Sequence, residues 1–98
     1  MTSEGKGAVK ARIETKIAAA FAPRHVSVVD ESRQHAGHGR HHHHPGGETH
    51  FRVEIVSDAF SGKSQLERHR MVYAVLAEEL KERVHALAVT AKAPGEAP

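Results

Sequence analysis

The 98-residue chain contains no cysteine. That excludes a disulfide framework, a catalytic thiol and a metal-cluster site built from its own thiolates. Aromatic residues are scarce, three Phe and one Tyr, which leaves little for stacking against nucleic-acid bases. No stretch is apolar and long enough to span a bilayer, and the opening MTSEGKGAVKAR has no signal-peptide core. These absences predict a soluble intracellular protein in a reducing compartment, the cytoplasm or alternatively the mitochondrial matrix. The GxSxG, P-loop, GxGxxG and HExxH patterns of common enzymes are missing. Glu78 and Glu79 are adjacent on a predicted helix, so their carboxylates diverge rather than converge on a substrate. No enzymatic site is expected.

What is present suits one domain with one modest core. Hydrophobic residues make up 39% and charged residues 27% of the chain. The formal charge at pH 7 is +2, a mild positive balance. Adding one charge for each of the ten histidines raises +2 to +12. An unperturbed imidazole titrates near ~6.5, so the chain becomes strongly cationic in acid.

Val9, Ile13, Ile17 and Phe21 recur every four residues and predict a first amphipathic helix, ended by Pro23. His25–Asp30 reads as a first strand. In Thr49–Ser57, Phe51, Val53 and Ile55 alternate with His50, Arg52 and Glu54, a strand with one buried face. Asp58-Ala-Phe-Ser-Gly62 is a turn. Ser64 and Glu67 then form a capping box at the head of one long helix. Leu66, His69, Tyr73, Leu76 and Leu80 mark its expected buried stripe. His85–Ala91 is a third strand. Residues 1–8 and 93–98 are expected to be flexible ends around a domain spanning 9–92. The pattern is α+β, in the order αββαβ, with two layers: a small three-stranded mixed sheet with helices on one face. The expected core is Phe51, Val53, Ile55, Leu66, Tyr73, Leu76, Leu80, Leu87 and Val89 with Ile13 and Ile17.

Residues 31–47, ESRQHAGHGRHHHHPGG, hold four glycines, a proline and six histidines without apolar periodicity. A loop of this length is functional or disordered. The run His41, His42, His43, His44 is internal and reads as part of the protein rather than a tag. Imidazole nitrogens ligate zinc, copper, nickel and iron, so His35, His38 and the run are metal-ligand candidates. For the run, the favoured reading is adventitious zinc or nickel binding by a solvated loop. A metal-storage module built on the loop is a further class.

His85 opens the third strand and reads, from the residues alone, as an ordinary strand-start histidine. His69 shares the helical stripe and reads as packing, and His50 lies on the polar face of its strand. Lys63, Arg68 and Arg70 cluster at the head of the long helix. They are either a surface for phosphates or a partner's acidic groups, or simply a solvated helix face.

The pieces VVDES-x-x-HAGH, THFRVEIVS, FSGKS, RHRMVY, LAEEL and VHALAV, in this order and spacing, resemble the BolA family over about Val9 to Pro94. The resemblance implies a KH-like fold of class II. It implies partnership with a monothiol glutaredoxin, and a [2Fe-2S] cluster shared with that partner and its glutathione, in iron–sulfur trafficking or iron regulation. It also implies that His85 is one cluster ligand and that the loop supplies the other, His35 at the commoner spacing or His38 in this lengthened loop. The histidine run makes the loop longer than the family pattern. With no thiolate here, sulfur ligands come from the partner. Histidine on one iron has precedent in Rieske centres. The rival implied function is a DNA-binding transcriptional regulator of the stress response using Lys63, Arg68 and Arg70. KH domains bind single strands through a GxxG loop, and the corresponding turn here has only Gly62, which weakens an RNA-binding role. The protein without its cluster is expected to be a monomer, with no membrane association.

Overall fold

The computed structural model describes residues 7–32 and 49–96. Within them the chain forms α1 (Ala8–Phe21), β1 (His25–Asp30), β2 (His50–Val56), a 3-10 turn (Asp58–Phe60), α2 (Gln65–Val75), α3 (Ala77–Glu82) and β3 (Ala86–Lys92). The sheet order is β1-β2-β3. β1 pairs antiparallel with β2, Val28 opposite Val53. β3 pairs parallel with β2, Val53 opposite Val89. This is the expected α+β arrangement, with the three predicted strands within a residue of their expected ends.

Each element follows from local chemistry. In α1 the four-residue spacing buries Val9, Ile13, Ile17 and Phe21 on one face. The helix ends at Ala22, whose backbone is left-handed (φ 43°) and whose N–H donates to the Ala18 carbonyl at 3.1 Å. Pro23 prevents further helix. Strand β2 alternates as expected: Phe51, Val53 and Ile55 are buried while Arg52 and Glu54 are exposed. Gly62 takes a left-handed backbone (φ 76°) in the turn before α2, a conformation glycine adopts without penalty. The capping box is formed: Ser64 Oγ accepts from the Glu67 N–H at 3.1 Å, and Glu67 Oε1 from the Ser64 N–H at 2.8 Å. The latter bond holds the Glu67 carboxyl below its ordinary range.

The second helical segment differs from the expected one in two ways. It is interrupted at Leu76, which leaves helical angles (φ −102°, ψ 19°) although the Leu76 and Leu80 N–H bonds continue across the joint. Its buried face is also rotated. Leu66 and Tyr73, expected in the core, are exposed (59% and 42%). The buried positions are Arg68, Val72, Leu76 and Glu79, with Met71, Val75 and Leu80 half-buried against the core. The buried face differs from the expected stripe because two of its members are charged, and hydrophobic periodicity skips them. Each is buried with dedicated partners, the condition under which burial of a charge is tolerated. Glu79 receives Arg12 and Lys16 from α1. Leu87 and Val89 pack half-buried against the core, and the Phe21 and Phe60 rings meet at 5.0 Å.

Arg68 is the second such charge, and it corrects two expectations. Its side chain is 5% exposed, so it is no part of a solvated basic cluster. Its Nε donates to the Lys63 carbonyl at 2.9 Å and its Nη1 to the Ala91 carbonyl at 3.0 Å. Its two terminal nitrogens grip Glu96 Oε1 and Oε2 at 2.7 and 2.8 Å. Glu96 also accepts from the Ala93 N–H at 3.0 Å. The segment expected to be a loose tail from residue 93 is therefore clasped through Glu96 to the head of α2.

The clasp carries a pH dependence. The Arg68 hydrogen bonds, then the Ala93 N–H, hold the Glu96 carboxyl at about 2 against an ordinary 4.5. A depressed carboxyl stabilises the fold above the unfolded value and loses that contribution as pH falls through the folded one. Wild type should thus lose this contribution progressively from about pH 4.5 to about pH 2. Glu96→Gln is expected to melt lower near neutral pH and to show a smaller further drop across that acid window. Thermal melts of both proteins against pH check it, and parallel curves would contradict it.

Candidate metal centre at the base of the histidine segment

The histidine segment leaves β1 at Ser32 and rejoins β2 at Thr49. Both residues are buried polar groups, 7% and 3% exposed. Buried hydroxyls must be hydrogen-bonded, and here they satisfy one another. Ser32 Oγ accepts from the Thr49 N–H at 2.8 Å and from the His50 N–H at 3.2 Å. It also lies 3.3 Å from Thr49 Oγ1, which in turn lies 2.9 Å from His50 Nδ1. Asp30 Oδ1 accepts from the Ser32 N–H at 2.9 Å, an Asx-type turn that aims the serine inward. Next to it, the Glu31 N–H donates to the His50 carbonyl at 2.7 Å, and the Glu31 carboxylate accepts from Arg52 Nε at 2.8 Å.

His85 adjoins this base. The Thr49 carbonyl accepts two N–H groups, from His85 at 2.7 Å and from Ala86 at 3.1 Å. The residue that closes the histidine segment thus grips the backbone of His85, whose side chain is exposed just before β3. The two ends of the segment and the backbone of His85 meet at one end of the sheet.

The remaining predicted residues fall as follows. His35, His38 and His41–His44 lie outside the described residues. Lys63 and Arg70 are exposed at the head of α2. Arg68 is withdrawn into the clasp and leaves the candidate basic surface. His69 is half-buried on α2, and His50 is half-buried on the polar side of β2. Tyr73, exposed rather than core, donates its hydroxyl to the Leu87 carbonyl at 3.0 Å and ties α2 to β3. Among the described residues, no three His, Asp or Glu side chains converge on a metal position. The His85 side chain is exposed at the surface. Sequence reasoning missed Ser32 and Thr49. The signal was weak but present, because small hydroxyl residues sit immediately at both ends of the segment.

The family model described as BolA-like protein matches residues 17–96. The chain belongs to the BolA family. It is similar to the Escherichia coli DNA-binding transcriptional regulator BolA, with 51% identity over 81 residues, 83% of this chain and 71% of that protein. It is also similar to the Arabidopsis thaliana SufE-like protein 1, chloroplastic/mitochondrial, with 48% identity over 87 residues. That match covers 87% of this chain but 24% of the relative, so the chain spans about a quarter of that protein. Among solved structures, the BolA domain of SufE1 from Arabidopsis thaliana superposes with a TM-score of 0.77 at 44% identity, covering 99% of both chains. The three-stranded sheet and its helical layer are the BolA fold. Among the described residues, no helix is long and apolar enough to cross a membrane.

Proposed function

We propose that this BolA-family chain is a non-enzymatic partner of a monothiol glutaredoxin and shares a [2Fe-2S] cluster with it, in iron–sulfur trafficking or iron regulation. One observation carries this reading. His85 presents an exposed imidazole from a backbone clamped by Thr49, at the base of a segment that holds His35 and His38. In this reading His85 is one nitrogen donor, and His35 or His38 is the second. A cluster bound here would supply electron-transfer or iron-donating chemistry that the chain itself lacks. Without cysteine, the chain leaves the thiolate positions to the glutaredoxin cysteine and glutathione. A ligating imidazole must be deprotonated. Zinc or nickel binding by His41–His44 is a separate, adventitious property of the same segment.

The test is reconstitution with a monothiol glutaredoxin, glutathione and iron, followed by visible absorption and circular dichroism. His85→Ala, and one of His35→Ala and His38→Ala, are expected to lose or destabilise the coloured complex. Unchanged spectra and cluster lifetime in His85→Ala would overturn the reading.

A second reading has its own observation. Lys63 and Arg70 are exposed at the head of α2, and the E. coli relative is named a DNA-binding transcriptional regulator. Arg70 would then meet a phosphate, and Arg70→Ala should flatten the log–log salt dependence of duplex affinity by about 0.9. An unchanged slope rejects that surface.

A further inference from the structure

We infer that Ser32 is a positioning residue for His85, acting through Thr49; this rests on the reading of His85 as a cluster ligand. The chain of contacts is short and entirely within described residues. Asp30 Oδ1 holds the Ser32 N–H at 2.9 Å. Ser32 Oγ, buried, holds the N–H groups of Thr49 and His50 at 2.8 and 3.2 Å. The Thr49 carbonyl holds the N–H groups of His85 and Ala86 at 2.7 and 3.1 Å. Two adjacent pairs of backbone N–H groups, at the starts of β2 and β3, are thereby fixed by one hydroxyl and one carbonyl.

The arrangement does more than close a turn. His85 precedes β3, and its side chain is exposed. Its backbone placement depends on where Thr49 sits. Thr49 precedes β2, and its N–H is held by Ser32 at 2.8 Å. A serine hydroxyl suits the task because its oxygen accepts two N–H donors while it also shares a hydrogen bond with Thr49 Oγ1 at 3.3 Å. An alanine there would leave two inward N–H groups without their acceptor, a costly state for buried donors. The structure would respond by moving Thr49, and His85 would move with it. A ligand displaced by a fraction of an ångström still binds, but more weakly and with altered geometry, which is the usual consequence of losing an outer support.

The test uses the full chain first without metal. Amide hydrogen exchange is measured by NMR in wild type, Ser32→Ala, Ser32→Thr and Asp30→Ala. Ser32→Ala is expected to speed exchange at the His85 and Ala86 amides at least tenfold while the Val53 amide, in the centre of β2, keeps its rate. Val53 thus reports whether the variant is folded. Asp30→Ala, at an exposed position, should give the same pattern more weakly without disturbing the core, and stands in if Ser32→Ala fails to fold. Ser32→Thr retains the hydroxyl and should remain near wild type.

The same proteins are then assembled with the glutaredoxin, glutathione and iron, with His85→Ala alongside. Expected is a complex of Ser32→Ala with altered visible circular dichroism and a cluster lifetime shortened about fivefold, restored by Ser32→Thr. Unchanged exchange at His85 overturns the inference outright. Faster exchange with wild-type spectra and lifetime also overturns it, leaving Ser32 a purely structural residue while a defect in His85→Ala preserves the cluster reading. If His85→Ala itself behaves as wild type, the cluster reading fails and the positioning role falls with it.

Discussion

Replacing Arg12 and Lys16 together with methionine is expected to destabilise the protein by about 3–5 kcal/mol, while either replacement alone costs far less. The reason is the Glu79 carboxylate, 1% exposed between α1 and α3. Arg12 Nη2 and Lys16 Nζ each lie 2.9 Å from Glu79 Oε2, and Lys16 also donates to Oε1 at 3.1 Å. Oε2 has no well-aligned hydrogen bond despite these short distances, so its attachment is chiefly one of charge. Either cation alone still neutralises it. Removing both leaves a buried carboxylate with no counter-charge, which is the expensive case. Methionine keeps the apolar stems of the long side chains and removes only their charge. The outer branches, Arg12 to Glu82 at 3.2 Å and Lys16 to Glu78 at 2.8 Å, are exposed and contribute little. Urea denaturation of the wild type, both singles and the double variant forms a thermodynamic cycle. The double should lose clearly more than the sum of the singles, and adding Glu79→Gln should recover part of the loss. Strict additivity would mean that Glu79 is solvated when its partners leave.

Leu76→Ala is expected to cost about 2–5 kcal/mol, as for other enclosed leucines. Leu76 is 1% exposed, at the joint of α2 and α3, within the core cluster that includes Ile13, Ile17, Val53, Ile55 and Val72. A chain of this size loses roughly 4–8 °C of melting temperature per kcal/mol, so the shift is readily measured. The urea slope should stay constant, because the surface exposed on unfolding hardly changes. Leu66→Ala, at 59% exposure on the same helical segment, should stay within about 0.5 kcal/mol of wild type. Equal costs at the two sites would contradict the rotated face of α2. A cost below about 1 kcal/mol for Leu76→Ala would place that side chain outside a closed core.

Much of the architecture was legible from residue order alone. Alternation in residues 49–57, four-residue spacing in α1 and the Ser64–Glu67 pair are local signals, and local geometry obeys them. Strand pairing followed because no crossover helix is expected between β1 and β2, which leaves them antiparallel, whereas the helical crossover makes β3 parallel to β2. His85 was legible as a strand-start residue and, through the family resemblance, as a ligand candidate. Its clamp by Thr49 was not, since 36 positions separate the two in the chain.

The charged interior needed the folded molecule. Arg68 looks like a solvated cation beside Lys63 and Arg70, and Glu79 like the twin of Glu78. Nothing within a few residues of either reveals that Glu96 arrives from 28 positions away or Lys16 from 63. Hydrophobic periodicity assigns a helix face by counting apolar side chains, so it rotated this face toward Leu66 and Tyr73. Burial of a charge depends instead on partners brought in by other elements. Ser32 and Thr49 belong with them: two small hydroxyl residues bounding a polar stretch become a buried latch only when β2 brings Thr49 to the start of β3. The short-range order of elements is a property of the chain, whereas these pairings arise from distant segments whose polar groups leave water together and must find one another.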